Sequence, residues 1–358
     1  MKKHPVRALL VNAALVALAF GLLGLVIWKN RGQIHEIFGR KLDLRLIALA
    51  FAVYFTSLSL TFLRWYWLVR VIEPTFKLRH ATLLGYIGNV FNLVIPGAVG
   101  GDLIKAAYLI RMRINKTQAI TSMVLDRILG LLGLFLLAGV AGVVAWPMAT
   151  VEVRRLVVIA WVLFAAGALG LTAVFTQALT RRFPGLLSGH GRISMILNEL
   201  RAMSATYRSR IGGILGALLY SAGCHSLFVT AFYMVSRALF PTHLPSLGPH
   251  FLMVPLILFT TAVPLPFGAL GLTEEVSDQL FKLISHPGGA LAMIGFRVLM
   301  YAGAVVSACV YLANFAQVRG LTDTAEHLEE ELIEGDLEPS GSDLQDDALP
   351  VQPRADQP

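Results

Sequence analysis

Long apolar blocks separated by short polar segments dominate this chain. Six of them are long enough to cross a bilayer as a helix, because about 20 residues span a hydrocarbon core of about 30 Å. These blocks cover residues 8–28, 46–69, 119–146, 156–179, 211–240 and 290–318. The pattern predicts an all-α, polytopic integral membrane helical bundle with about six full spans.

Two further apolar stretches, 81–110 and 251–284, are each broken by a segment rich in proline and glycine. The breaks lie at 96–102 and 264–271, and the arms of about 13–16 residues reach only about 20–24 Å as helix. Proline removes a backbone donor and glycine relaxes the helix, and the backbone groups so freed cannot face lipid. We therefore predict two re-entrant helical hairpins, whose broken tips are buried in protein or line a wet cavity.

The two breaks resemble each other in sequence. Residues 97–100 read Gly-Ala-Val-Gly, and residues 268–271 read Gly-Ala-Leu-Gly. A proline precedes each break motif, and acids follow: Asp102 after the first, Glu274 and Glu275 after the second. Paired interruptions in the two halves of a chain are the best sequence pointer to a transporter's binding site. The similarity favours an inverted repeat with the substrate site at the two tips.

The distribution of Lys and Arg predicts the orientation. Cytoplasmic loops carry an excess of both residues, and with the N-terminus in the cytoplasm most loop Lys and Arg fall on that side. The first hairpin then enters from the cytoplasm, the second enters from outside, and both termini are cytoplasmic. The basic segment 29–45 is the exception, and we expect it to lie at the outer interface. The expected location is the cytoplasmic (inner) membrane.

Composition supports this assignment and divides the chain in two. Hydrophobic residues make up 56% and charged residues 15% of the sequence, against about 25% charged in soluble proteins. The net charge is +8, although residues 321–358 are strongly acidic. We predict a membrane domain over 1–320 and a mostly disordered, acidic cytoplasmic tail over 321–358. The basic residues flank apolar blocks instead of forming a patch, which argues against nucleic acid as a partner.

The sequence contains none of the usual catalytic or nucleotide-binding motifs. Its two cysteines, Cys224 and Cys309, lie in apolar blocks, which excludes a disulfide framework and a cysteine-based zinc site. We therefore expect no cofactor, no metal and no enzymatic activity. Transport by this chain alone would not be driven directly by ATP.

Charged residues inside apolar blocks are the strongest candidates for function. Each costs about 2.5–3.5 kcal/mol at a helix centre, so it should be paired or face a cavity. Asp102 falls in the first turn of a helix, where the helix dipole stabilises a carboxylate. Lys105 could pair with Asp102 or bind a phosphate, and Arg127 could contact Asp102 or a lipid phosphate. At the second break we expect Arg297 to meet an acid such as Glu274.

Several of these charged residues also have structural explanations that involve no ligand. Asp102 and the acids of the second break could merely cap their helices. Adjacent helix residues point about 100° apart, so Asp126 and Arg127 need not pair. Arg64, next to Trp65, is expected to snorkel into an interfacial aromatic belt. The candidate translocation site comprises Asn92, Pro96, Gly97, Gly100, Gly101, Asp102, Lys105, Asp126, Arg127, Pro266, Gly268, Gly271, Glu274, Glu275 and Arg297.

These motifs resemble a known family. The quoted residues are Asn89-x-x-Asn92-x-x-x-Pro96-Gly97-x-x-Gly100-Gly101-Asp102-x-x-Lys105, Ser122-x-x-x-Asp126-Arg127, Pro264-x-Pro266-x-Gly268-x-x-Gly271-x-x-Glu274 and Arg297. In order and spacing they are similar to the flippase-like membrane domain of bacterial lysylphosphatidylglycerol synthases, which also occurs as a stand-alone protein. The resemblance implies a polytopic domain with re-entrant helices that moves a phospholipid or related amphiphile between leaflets.

Two differences from the family's pattern limit what can be inferred from the resemblance. Many members have Gly-Glu and Arg where this chain has Gly101-Asp102 and Lys105, which leaves the headgroup preference open. We expect the soluble aminoacyltransferase domain of the two-part enzymes to be missing, so the resemblance does not imply synthase activity.

Three functions remain open at this stage. The first is a non-enzymatic lipid translocator whose partners are membrane lipids, anionic or lipid-linked. The second is a membrane enzyme or accessory protein of lipid-linked glycan or hopanoid metabolism, in which Asp102 or Glu274 is a general base. The third is a scaffold that recruits partners through its cytoplasmic segments. A homo-oligomer and a partner enzyme of lipid biosynthesis are both compatible with the sequence.

Overall fold

The computed structural model is all-α over the part of the chain that it describes. That part comprises residues 5–39, 41–94, 100–176, 201, 204–207, 210–242, 244–262, 266–286 and 288–315. Its main helices are α1 (Pro5–Lys29), α2 (Arg31–Phe38), α3 (Leu44–Ile72), α4 (Leu78–Val94), α5 (Gly100–Arg111), α6 (Lys116–Ala145), α7 (Val151–Phe175), α8 (Ile211–Leu239), α9 (Leu247–Phe259), α10 (Pro266–Ala269), α11 (Leu272–Lys282) and α12 (Gly289–Ala313). Short 3-10 turns follow α6 (Trp146–Met148) and α9 (Thr260–Ala262).

Five of the described helices are long and apolar enough to cross a membrane. They are α3, α6 with its 3-10 turn, α7, α8 and α12, and they coincide with five of the six predicted blocks. The sixth block forms α1, a continuous helix of 25 residues, of which Val16–Lys29 is a shorter apolar stretch. The prediction of an all-α polytopic membrane bundle is confirmed. The predicted tail lies outside the described residues and stays a prediction.

Short polar residues determine where the long helices begin. Asp43 caps α3, because its side chain accepts hydrogen bonds from the backbone N–H groups of Arg45 and Leu46 at 3.1 Å each. Asn115 caps α6 and Thr150 caps α7 in the same manner. Such caps satisfy backbone donors that a helix start leaves unpaired. Because of these caps, the three helices begin a few residues earlier in the chain than the hydrophobic pattern alone indicated.

The first predicted hairpin is an antiparallel pair of helices, α4 and α5. Near its open end the rings of His80 and Tyr108 lie 5.8 Å apart. Near its tip, the backbone N–H of Gly101 donates to the side-chain oxygen of Asn92 at 2.9 Å. Contacts at both ends of the pair establish the hairpin. Its break, residues 95–99, lies outside the described residues and includes two predicted site residues, Pro96 and Gly97.

The second predicted hairpin pairs α9 with α11. The rings of His250 and Phe281 lie 5.1 Å apart near the open end. Toward the tip, the hydroxyl of Thr260 donates to that of Thr273 at 3.2 Å. Between the arms lies the single turn α10, which contains two predicted site residues, Pro266 and Gly268.

The two hairpins enter the bundle from opposite faces. Tyr207, which precedes α8, donates its hydroxyl to the carbonyl oxygen of Leu68 at 3.2 Å, so α8 begins on the face where α3 ends. The first hairpin also opens to that face, because it connects the end of α3 to the start of α6. α8 then crosses the bundle, and the second hairpin opens at its far end. This opposed entry is the arrangement that an inverted repeat requires.

An aromatic core holds the second hairpin to the long helices. The ring of Phe232 in α8 stacks on Phe281 in α11, with centroids 5.8 Å apart, and lies 5.4 Å from Phe296 in α12. Tyr54 in α3 meets the same Phe296 ring edge-on at 5.7 Å. All four rings are buried. This cluster fixes α11 and α12, which carry the charged residues of the second tip.

Candidate functional site

The first tip holds a carboxylate between two basic side chains. Asp102 lies in the first turn of α5, and one of its oxygens accepts a hydrogen bond from Nε of Arg127 in α6. The other oxygen lies 3.4 Å from Nζ of Lys105. The Lys105 ammonium also sits over the indole ring of Trp65, 5.1 Å from the ring centroid. The predicted contact between Arg127 and Asp102 is therefore confirmed.

Glycine allows the two helices of the first hairpin to approach closely near this carboxylate. A Cβ atom added at Gly101 would lie 2.2 Å from the backbone oxygen of Gly88 in α4. Gly100, which begins α5, is also buried. The side chain of Asn92 accepts the Gly101 N–H that the start of the helix leaves unpaired. These contacts place Asn92, Gly100 and Gly101 directly beside Asp102.

The second tip holds a fully buried ion pair. Glu274, in the first turn of α11, has 0% of its surface exposed and accepts a hydrogen bond from Nε of Arg297 in α12. Its other oxygen accepts the backbone N–H of Gly271 at 2.6 Å. Arg297 also donates to the carbonyl oxygen of Phe267, a residue with a positive φ of 55°, at 2.6 Å. The predicted pairing of Glu274 with Arg297 is confirmed.

Gly271 has a conformation that only glycine adopts readily. Its φ is +85°, and a Cβ atom there would lie 2.3 Å from Cβ of Leu22 in α1. The first helix of the chain therefore packs directly on the second tip, where the rings of Phe20 and Phe267 also meet at 5.6 Å. This contact covers the tip beside Glu274 with apolar side chains.

The two tips share one pattern of charges. In each, an acid in the first turn of the hairpin's second arm pairs with an arginine in the long helix that follows. Asp102 and Arg127 are 25 residues apart, and Glu274 and Arg297 are 23 residues apart. This correspondence extends the similarity of the breaks from sequence to three-dimensional contacts, and it supports the inverted repeat.

Glu275 belongs to a different cluster from its neighbour Glu274. Its carboxylate lies 3.0 Å from Nζ of Lys29, at the end of α1, and a third of its side chain is exposed. The same lysine lies 3.3 Å from Asp278, which also pairs with Lys282 at 2.5 Å. This cluster fastens α1 to α11 and does not contribute to the buried pair at the tip.

The prediction that Arg64 snorkels into an interfacial belt is wrong. Its guanidinium is buried and pairs with Asp126 in α6 at 2.8 Å, and it also donates to the hydroxyl of Ser221 in α8 at 2.6 Å. An isolated charge inside a helical bundle is energetically costly, and the carboxylate of Asp126 provides the buried arginine with a partner of opposite charge. Asp126 pairs with Arg64 and Arg127 with Asp102, which agrees with the expectation that the two adjacent residues need not pair with each other.

The second tip also contacts the first hairpin. The turn α10 packs against α4. Deeper along α4, the side-chain amide of Asn89 donates to the hydroxyl of Ser307 in α12 at 3.1 Å. One arm of the first hairpin therefore lies against both the tip of the second hairpin and the helix that carries Arg297. This hydrogen bond joins polar side chains of the two halves of the chain.

Metal ligands do not gather in the part of the chain that the structure describes. No group of three His, Cys, Asp or Glu side chains there lies close enough to hold a metal ion. Cys224 is buried and Cys309 is exposed, and both are free thiols. The chemistry available at the two tips is that of carboxylates, guanidinium groups and one ammonium.

Five long apolar helices and two opposed hairpins with ion pairs at their tips define a multi-pass membrane protein. The sequence model of the lysylphosphatidylglycerol synthase TM region matches residues 9–308. The chain belongs to this family, as its motifs indicated, and the match includes no aminoacyltransferase domain. The family is one of membrane proteins in lipid metabolism or transport. No individual curated protein matches the sequence.

Proposed function

We propose that this protein translocates a phospholipid or another amphiphilic lipid between the leaflets of the cytoplasmic membrane. The observation that carries the proposal is the pair of opposed hairpins with a paired carboxylate at each tip. Charges inside a membrane are expensive, and where they occur they mark substrate or ion pathways. A lipid headgroup needs such a polar route, while its acyl chains can remain in the bilayer.

The proposed path runs along the two hairpins. In our topology the termini are cytoplasmic, the first hairpin re-enters from the cytoplasm and the second re-enters from outside. Each broken helix supplies backbone groups and a charged residue partway through the bilayer, as in transporters built from inverted repeats. The packing of α10 on α4 supports a continuous route from one tip to the other.

The proposal assigns binding and movement, and no covalent chemistry, to Asp102 and Glu274. The alternative is an enzyme in which one of these carboxylates is a general base. The two functions differ in their products, because a translocator returns the same lipid in the other leaflet. An enzyme would release a modified lipid, and its product would disappear when the carboxylate became an amide.

Lipid movement in proteoliposomes tests the proposal. The vesicles contain headgroup-labelled lipids, and a membrane-impermeant quencher is added outside. With the wild-type protein we expect the inner-leaflet label to be quenched as well, because it reaches the outer leaflet. The double variant D102N/E274Q should protect the inner label. D43N is the matched control, because Asp43 is an exposed helix cap and asparagine caps equally well.

Two outcomes would contradict translocation through the tips. Protection of the inner label by the wild-type protein across phospholipid headgroups would refute translocation itself. Equal quenching with the wild type and the folded double variant would place the path elsewhere. Chromatography of the recovered lipids separates the enzyme alternative, because a new lipid species that requires Asp102 would favour it.

A further inference from the structure

Two loops at the open end of the first hairpin form a basic surface. One loop connects α3 to α4, and the other connects α5 to α6. Phe76 of the first loop and Ile114 of the second are buried in the same apolar cluster, so the fold brings together basic residues that flank separate apolar blocks in the sequence. The basic surface consists of Arg70, Lys77, Arg79, Arg111, Arg113 and Lys116.

Acidic side chains do not balance this surface from within the two loops. Residues 70–80 and 111–116 contain a single acid, Glu73. Its carboxylate accepts hydrogen bonds from the backbone N–H of Thr75 at 3.0 Å and from the hydroxyl of Thr75 at 2.5 Å. The acid of the loops therefore serves a local turn, and the basic surface keeps a strong net positive charge.

Four members of the basic surface are exposed and form no ion pair with any residue that the structure describes. They are Arg70, Lys77, Arg79 and Arg113. The guanidinium of Arg70 donates to a neutral group, the hydroxyl of Tyr66, at 3.2 Å. Like charges that lie close together repel one another unless salt or an anionic partner compensates them. The surface is therefore suited to a partner rich in carboxylates or phosphates.

The last described helix ends on the same face of the bundle as the basic surface. α12 begins beside the open end of the second hairpin, where the hydroxyl of Ser277 donates to the carbonyl oxygen of Gly289 at 2.7 Å. The helix then runs toward the opposite face. Near its end the ring of Tyr311 lies 5.8 Å from that of Phe91 in α4, and it packs against the apolar cluster that contains Phe76. The chain after α12 therefore leaves the bundle on the side of the basic surface.

The sequence after α12 supplies the opposite charge. Residues 323–338 contain eight Asp and Glu and no Lys or Arg, whereas residues 339–358 contain four acids and Arg354. The chain from residue 314 to residue 338 reaches up to about 80 Å when fully extended, and neighbouring helices lie only about 10 Å apart. The acidic segment can therefore reach the basic surface. Because it is tethered, its effective concentration there is on the order of millimolar.

The surface of an anionic membrane leaflet is the other partner open to these basic residues. The same leaflet repels an acidic segment, so the basic surface is the part of this face that attracts it. α3 has 29 residues and α6 has 30, which correspond to about 43–45 Å of helix. This length exceeds the hydrocarbon core of about 30 Å. The helix ends that carry the basic surface therefore extend toward the water, where the acidic segment can contact them.

We infer that residues 323–338 bind the basic surface of their own chain. The contact pairs the carboxylates of this acidic segment with the guanidinium and ammonium groups at the open end of the first hairpin. It also covers that end of the hairpin with a segment of the same chain. The inference goes beyond the proposed function and does not depend on it, because the contact can form whether or not the protein moves lipid.

Carbodiimide cross-linking of the full-length protein in nanodiscs tests this contact. The reagent joins a lysine amine to a neighbouring carboxylate as an amide, with loss of water, and mass spectrometry identifies the joined peptides. In phosphatidylcholine discs that hold one protein copy each, Lys77 should link to residues 323–338 about tenfold more than Lys41 does. Lys41 precedes α3 and so lies on the opposite face. The excess should vanish in about 1 M sodium chloride, where the Debye length is about 3 Å.

Variants of the basic surface test whether charge determines the contact. R70Q/R79Q/R113Q removes three exposed arginines and keeps Lys77 as the reporter, so the yield of its cross-link should fall about tenfold. The matched control is R45Q/R155Q/R237Q, which removes three exposed arginines from the other face and should leave the yield unchanged. A fall of equal size in the control would overturn the inference, because it would show that net charge matters and the location of the charge does not.

Variants of the acidic sequence leave the described helices untouched and locate the binding segment. The variant E329Q/E330Q/E331Q/E334Q should lower the linkage of Lys77 to the remaining acids of residues 323–338. The variant D343N/D346N/D347N/D356N removes the same number of charges from residues 339–358 and should not lower it.

Three results would overturn the inference. The first is equal linkage of Lys77 and Lys41 in the wild-type protein. The second is equal loss of linkage in the two variants of the acidic sequence. The third is disappearance of the Lys77 cross-link when phosphatidylglycerol replaces a quarter of the lipid, because the basic surface would then belong to the lipid headgroups. Persistence of the cross-link in those discs would support the inference.

Discussion

Removal of Arg297 tests the central claim about the second tip. The variant R297M keeps an unbranched apolar side chain in place of the arginine. It leaves the Glu274 carboxylate, which is 0% exposed, with the backbone N–H of Gly271 as its remaining hydrogen bond among those described above. Breaking a buried ion pair by removing one partner costs about 3–5 kcal/mol, because an uncompensated charge stays buried. R297M should lose that much free energy of unfolding.

A second substitution should restore most of this loss. In the double variant E274Q/R297M no charge is buried, and the amide oxygen of the glutamine can still accept the Gly271 N–H. The remaining cost is that of the Phe267 carbonyl, which loses the hydrogen bond from Arg297, about 1–3 kcal/mol. The double variant should therefore be more stable than R297M alone by about 2 kcal/mol, and the effects of the two single substitutions should not add in a double-mutant cycle.

The assay is equilibrium unfolding in mixed micelles, followed by far-ultraviolet circular dichroism as the fraction of denaturing detergent rises. K282M is the control, because Lys282 pairs with Asp278 but is 42% exposed, and exposed pairs contribute about 0–1 kcal/mol. Loss of less than about 1 kcal/mol in R297M would contradict the reasoning. Additive single substitutions would contradict it as well, because they would show that the two side chains do not interact.

Three further predictions concern packing around the tips. R64M leaves the Asp126 carboxylate without its guanidinium and should lose about 3–5 kcal/mol in the same unfolding assay; a loss within error of the wild type would show that water solvates Asp126. G101A places a Cβ atom 2.2 Å from a backbone oxygen of α4, so the first hairpin should open and proteolysis there should accelerate; an unchanged cleavage rate would refute this. G271A combines a φ of +85° with a Cβ contact of 2.3 Å to Leu22. It should displace α1 and speed amide hydrogen exchange in that helix, while exchange in α7 serves as the internal control.

The sequence predicts the bundle, its hairpins and two of its ion pairs, because each follows from the free-energy cost of placing polar backbone groups or charges in a membrane. Apolar length defines the long helices, and proline and glycine define the breaks. The pairing of Arg297 with Glu274 follows because a deep arginine needs an acid, and the acids after the second break are the nearest candidates. These inferences require only local sequence and the energetics of charge in a membrane.

Other parts of the site depend on contacts that no local pattern encodes. Arg64 precedes an aromatic run and looks interfacial, yet its partner Asp126 comes from a helix 62 residues away. Trp65 meets Lys105 through the packing of α3 on the first hairpin. Glu275 was grouped with its neighbour, but adjacent helix residues point about 100° apart, so Glu275 faces Lys29.

The adjacent residues Asp126 and Arg127 give α6 two different attachments. Asp126 joins α6 to α3 through the side chain of Arg64, which is 8% exposed. Loss of this pairing would leave a buried charge without a partner. Arg127 joins α6 to the first hairpin through a side chain that is 41% exposed, which leaves part of the side chain within reach of the proposed lipid substrate. The contact of Asp126 with Arg64 is therefore suited to holding α6 in place, and the contact of Arg127 with Asp102 is suited to reversible binding of a ligand. It follows that R64M should act mainly on stability, whereas substitutions at Arg127 should act mainly on lipid binding.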